Sequence, residues 1–107
     1  MSDLTFKDPN SNEYTISFKK PDARSVGQCA GYYFFPHGGK GAIQVDPKMS
    51  NQLILNTVVH EMSHAFFDDA TETKTTQFAN AVSRVLYNNL QFRSPKLQSI
   101  VKGGLNG

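Results

Sequence analysis

The chain has 107 residues, 11 of them basic and 9 acidic, for a formal net charge of +2. That length fits one domain, 1–107, around one core, and that charge excludes a strongly basic nucleic-acid coat or an acidic disordered tail as its main character. Hydrophobic residues make up only 38%, so the core has to come from a few segments, and no apolar run approaches the roughly 20 residues of a membrane span.

Residues 1–20 carry Asp3, Asp8 and Glu13 and lack the apolar stretch of a secretion signal. The single Cys29 makes no internal disulfide. Together they set the expectation of a reducing, cytoplasmic setting. Glu13–Lys19 alternates, with Tyr14, Ile16 and Phe18 on one side, which predicts a half-buried strand ended by Pro21. Residues 28–36, with Cys29, Ala30 and the run Tyr32-Tyr33-Phe34-Phe35, predict a second strand. Ala42–Val45 predicts a third, paired with the second as a hairpin across a loop longer than two residues.

Asp46-Pro47 closes the β half, and Ser50 is the expected cap of a helix running to about Phe67. Its apolar positions Leu55, Val58, Val59, Met62, Ala65 and Phe66 fill a sector of about 120°. Thr71 caps a second helix with Glu72 in its first turn, reaching Asn88-Asn89. Ser94-Pro95 opens a short third helix that stops at Gly103-Gly104. The expected architecture is α+β: a small three-stranded, mostly antiparallel sheet packed on the first helix, then a second helix and a short C-terminal one.

The chemistry concentrates in His60-Glu61-Met62-Ser63-His64, inside the first helix. Histidines at i and i+4 share a helix face, with Cβ atoms about 6 Å apart, and can meet at one tetrahedral metal ion, zinc above all. Glu61 is turned about 100° from His60, so it does not join them on the metal but can reach a water bound there and take its proton. The two histidines lie roughly 160° from the centre of the apolar sector, yet their own face also carries Leu53 and Phe67. A helix apolar on two sides is covered on both, which puts the histidines in a cleft.

A third ligand is needed. Glu72 lies within about 20–40° of Ala79, Leu86 and Leu90 on the second helix, and a carboxylate buried on that stripe needs a partner such as zinc. The helix dipole alone also favours a glutamate there. In a tight antiparallel pair Glu72 falls near Asp68, about one turn past the ion. Asp68, Asp69 and His37 therefore remain competing ligands. Asp68 sits roughly 12 Å along the axis from His60 in an unbroken helix.

Val59-His60-Glu61-Met62-Ser63-His64-Ala65 resembles the zincin metallopeptidase signature. Glu72, with Phe78-Ala79 six and seven residues on, is similar to the second-helix glutamate of gluzincin-like peptidases of the ImmA/IrrE kind. Val85-Leu86-Tyr87-Asn88-Asn89 resembles small metallopeptidases carried by phages. The resemblance covers about residues 41–90. It implies a minimal zincin fold, His60, His64 and Glu72 as zinc ligands, Glu61 as general base and a peptide or protein substrate. It also implies that Ala42–Val45 rims the cleft and accepts an extended peptide by β-pairing. For a phage-borne chain the setting would be the host cytoplasm.

Tyr32, Tyr33, Tyr87 and Arg84 are candidates for stabilising the oxyanion. Cys29 reads as a small buried residue. Lys74, Arg84, Arg93, Lys96 and Lys102 read as a solvated face, and the chain shows no nucleic-acid-binding motif. The alternative to a peptidase is a zinc-stabilised interaction module, or a latent form with residues 94–107 across the cleft.

Overall fold

Asp8 organises the first turn of the chain. Its carboxylate accepts the backbone N–H groups of Asn10 and Asn12 at 2.8 and 3.0 Å, and Ser11 takes a left-handed φ of 67°. This turn joins β1 (Leu4–Lys7) to β2 (Glu13–Ser17). The computed structural model describes residues 4–21, 30–67 and 69–93. Cys29, Asp68 and the expected helix at 95–102 lie outside them.

The sheet has four strands among the described residues, in the order β1-β2-β4-β3, with β3 at Gly31–His37 and β4 at Lys40–Val45. The expectation of three strands is corrected by β1. Its four residues are too short to register as a period, yet Leu4 and Phe6 pair with Ile16 and Tyr14 on the core face. β3–β4 is antiparallel, as expected, and β1–β2 is antiparallel too, while β2 and β4 run parallel at the centre. The sheet is therefore mixed.

The β3–β4 loop is shorter than expected. Gly38 and Gly39, at φ 61° and 77°, make a two-residue turn of the kind that matches strand twist. The register shifts between Phe34 and His37, where Pro36 has no N–H to give to the ladder.

α1 (Asn51–Phe66) lies on the sheet. Ser50 caps it by accepting the Leu53 N–H at 3.2 Å. The core is Ile16, Ile43, Val45 and Ile54, none above 3% exposed, with Val58 and Met62 packed against it. The buried sector of α1 is rotated from the expected one: it includes Ile54, Thr57, Glu61 and Ala65, while Phe66 stays 38% exposed. α2 (Glu72–Ser83), capped by Thr71, packs on α1 as a third layer. Arg84–Asn89 continues it as a π-helical turn, so the helical run does reach Asn89. Arg93 closes that end by donating to the Tyr87 and Phe92 carbonyls and stacking 3.4 Å from the Tyr87 ring centre. No helix of the described residues is long and apolar enough to cross a membrane.

Candidate metal centre

One turn of α1 separates His60 from His64, and their ring centres lie 5.1 Å apart. Their side chains keep 19% and 26% of their exposure, so both are partly buried. Glu61, turned toward the sheet, is buried between α1 and β3. Gly31 of β3 comes so close that a Cβ there would lie 2.5 Å from Thr57 Cγ2 and 3.1 Å from Glu61 Cγ. Only glycine lets the strand approach that near.

Two local events bring Glu72 to the histidines. First, α1 stops at Phe66. Phe67 leaves the helical region, gives its N–H to Ser63, and the chain turns back through an Ala70-to-Phe67 hydrogen bond. Second, Asn56 Nδ2 donates to Asn80 Oδ1 at 2.8 Å and to Ser83 Oγ at 3.1 Å. That anchor sets the slide between the helices. Counting back along both from the Asn56–Asn80 pair puts Glu72 level with His64, one turn nearer the site than a tight pair opposite Asp68 would give. Glu72 Oε1 lies 2.7 Å from His60 Nε2, and Oε2 lies 3.4 Å from His64 Nε2.

Glu72 is not a buried charge, however. Its side chain is 69% exposed, so the burial argument for it fails. It stands on the first turn of α2, where only the tip of the side chain meets α1. The buried residues of that helix are Thr75, Ala79 and Ser83.

One ligand atom each from His60, His64 and Glu72 falls within 4.8 Å of the others. Two imidazoles and a carboxylate are a donor set for zinc, and tetrahedral bonds of about 2.1 Å separate ligand atoms by roughly 3.4 Å. The donors thus need to move by about an ångström or less, which long side chains on fixed helices can do. Of the competing ligands among the described residues, Asp69 and His37 do not join this group. Asp69 is exposed in the turn. His37 is four strand residues from Tyr33, the neighbour of His64, or about 13 Å along β3.

Burial pushes the Glu61 carboxyl up to about 7; nearby His60 opposes this and the Glu72 charge adds to it. Burial likewise holds His64 below the ordinary histidine value, against the pull of Glu72. A neutral imidazole is the form that binds a metal.

Of the oxyanion candidates, Arg84 and Tyr87 are excluded by position. Arg84 lies twelve residues along the helix from Glu72, about 18 Å, and Tyr87 is covered by Arg93. Tyr32 pairs with Phe34, on the sheet face opposite Tyr33. Tyr33 does reach the site, but as a support. Its ring centre is 5.9 Å from that of His64, while its hydroxyl is 3.5 Å from that of Tyr14. Tyr14 in turn donates to Asp8 at 2.9 Å. The sequence reading missed this Asp8–Tyr14–Tyr33 chain; the turn signal at Asp8-Pro9-Asn10 was its one visible trace.

The expected rim strand is also corrected. β4 has a neighbour on both sides, and β3 is the edge strand next to α1. A groove of about 270 Å³ between α1 and α2 is lined by Val59, Phe66, Phe78 and Val82 among others, and by none of His60, Glu61, His64 or Glu72. Comparison of the chain with protein-family models, curated proteins and solved structures gives no match.

Proposed function

We propose that this chain is a zinc-dependent peptidase on a minimal zincin-like domain, acting in the cytoplasm. One observation carries the reading: His60, His64 and Glu72 converge within 4.8 Å beside Glu61, a buried glutamate on the same helix. Zinc held by those three residues would supply Lewis acidity toward water and toward a peptide carbonyl. Glu61 is the general base. With its carboxyl raised to about 7, it can take a proton from water and give it up to the leaving amine near neutral pH. The low pKa of His64 keeps that imidazole available as a ligand. Edge strand β3 is the place for an extended peptide to pair, since its partner among the described residues lies on one side only. A purely structural metal site has no use for Glu61, whose burial costs stability.

The test begins with metal content by mass spectrometry of the wild type, His64→Ala and Glu72→Ala. About one zinc per chain is expected, lost in His64→Ala and strongly reduced in Glu72→Ala. Retention in Glu72→Ala moves the third ligand elsewhere. Hydrolysis of a mixed peptide library then separates enzyme from interaction module. Glu61→Gln should keep zinc and lose at least about 100-fold in rate. A zinc-loaded wild type that cleaves nothing is the module, and a chain that takes up no zinc refutes the reading.

A further inference from the structure

A cavity of about 190 Å³ lies where the β1–β2 turn and the end of β3 meet the last turn of α1. It is larger than the roughly 150 Å³ that accommodates a benzene-sized group. Asp8 lines it at 8% exposure. The Asp8 carboxylate accepts four hydrogen bonds, from the N–H groups of Asn10 and Asn12, from Asn12 Nδ2 and from the Tyr14 hydroxyl. All four donors are neutral. Burial works to raise the pKa of Asp8, but these bonds outweigh it and keep the carboxyl ionised below the ordinary range. No lysine or arginine among the described residues pairs with it.

Those four bonds fill the carboxylate's lone pairs but leave its charge without a counter-ion, so a cation in the cavity would be held by charge across it. The remaining walls suit one with an apolar stem. Tyr33, Phe35 and Phe66 contribute aromatic rings, which attract cations, and Ala65 and Pro36 contribute apolar surface. Tyr33 belongs to the cavity and also neighbours the ligand cluster, with its ring 5.9 Å from that of His64. An extended peptide advances about 3.3 Å per residue. A side chain in the cavity therefore comes from a residue within about three of the one held at the cluster.

We propose that this cavity is a subsite for an arginine or lysine side chain of the bound peptide. The peptide part of this inference rests on the peptidase reading; the cation part does not. The first arm therefore needs no turnover. Butylguanidinium and its neutral isostere butylurea are titrated into the full chain, with and without added zinc, and followed by amide chemical shifts. Butylguanidinium should perturb residues 8–14, 33–36 and 65–66 and bind at least about ten times more tightly than butylurea. Asp8→Asn should abolish that preference. Should Asp8→Asn fail to fold, Phe35→Ala, whose ring is 67% exposed, should weaken butylguanidinium binding several-fold with the fold intact. Equal binding of the two probes, or shifts confined to other residues, overturns the proposal.

The second arm compares the pentapeptide Ala-Ala-Arg-Ala-Ala with its citrulline counterpart on Glu61→Gln. The arginine peptide should bind about tenfold more tightly than the citrulline one, and more tightly than butylguanidinium. If the small cation binds as well as the peptide, the cavity serves a free cation and the peptide subsite is refuted. If the peptide preference holds and the wild type cleaves nothing, the peptidase reading fails while the subsite stands.

Discussion

Glu61 sits at 8% exposure between α1 and β3, and its burial favours the protonated form, with a pKa of about 7 against an ordinary 4.5. Between those two values the unfolded chain has already lost the proton that the folded chain keeps. The contribution of Glu61 to the stability of the metal-free protein therefore falls as pH rises through that window and is flat beyond it. The difference corresponds to roughly 3 kcal/mol at most. Glu61→Gln removes the penalty, so in thermal unfolding the metal-free variant should melt several degrees above wild type at pH 8. The gap should close near pH 4.5; one that stays constant across pH would show that Glu61 does not titrate this way. Glu72 gives the converse expectation. At 69% exposure its pairing with the histidines adds little stability without a metal. As one ligand of a zinc ion worth roughly 10–16 kcal/mol, it would carry about 3 kcal/mol of binding. Glu72→Gln should thus weaken zinc affinity about a hundredfold in a chelator competition and leave the metal-free melting temperature nearly unchanged. The shared face of His60 and His64 was legible because i, i+4 spacing on a helix fixes a face, and Glu61 was legible as the residue turned off that face. Glu72 was legible as a residue but not in its environment, since its exposure depends on how far α1 extends over it.

The features read correctly at the level of elements were local ones. Ser50 and Thr71 cap their helices as expected because an N-cap needs only its own next three residues. What the sequence did not reveal was decided by pairing between elements. Leu4–Lys7 becomes a strand only because β2 offers it a partner. The parallel β2–β4 pair joins segments separated by a whole strand. The slide of α2 on α1 depends on Asn56 and Asn80, residues 24 positions apart. That slide gives a test of its own. Asn56→Ala removes both bonds to α2 and frees it to shift, so zinc affinity should fall by about tenfold or more. Ser50→Ala is the control: loss of the cap costs about 1 kcal/mol of stability, yet zinc affinity should not change. Equal affinity losses in the two variants would mean that the anchor has no special part in placing Glu72.

Across the whole molecule the three layers are held unequally. The sheet and α1 share the core of Ile16, Ile43, Val45 and Ile54. α2 buries only Thr75, Ala79 and Ser83, while Phe78 stays 48% exposed. Small and polar side chains bury little apolar area, so α2 is the layer with the least hydrophobic hold. Thr75 even buries a hydroxyl with no hydrogen-bond partner among the described residues. The ligand cluster crosses this same weak boundary, with two donors on α1 and one on the first turn of α2. An ion bound there would therefore act as a clasp between layers. Any ligand that binds only the folded form stabilises it, by about 2.7 kcal/mol at a hundred times its Kd. Here the gain should be uneven. In native-state hydrogen exchange, amides of α2 in the metal-free protein should open at a lower free energy than those of β2, β4 and α1. Zinc should raise α2 protection selectively and bring it up to the level of α1, and Glu72→Gln should abolish that rise. Uniform protection of all elements by zinc would mean that the three layers already unfold together and that the ion clasps nothing. The same result would also detach Glu72 from the site, because a metal held by α1 alone has no means of ordering α2.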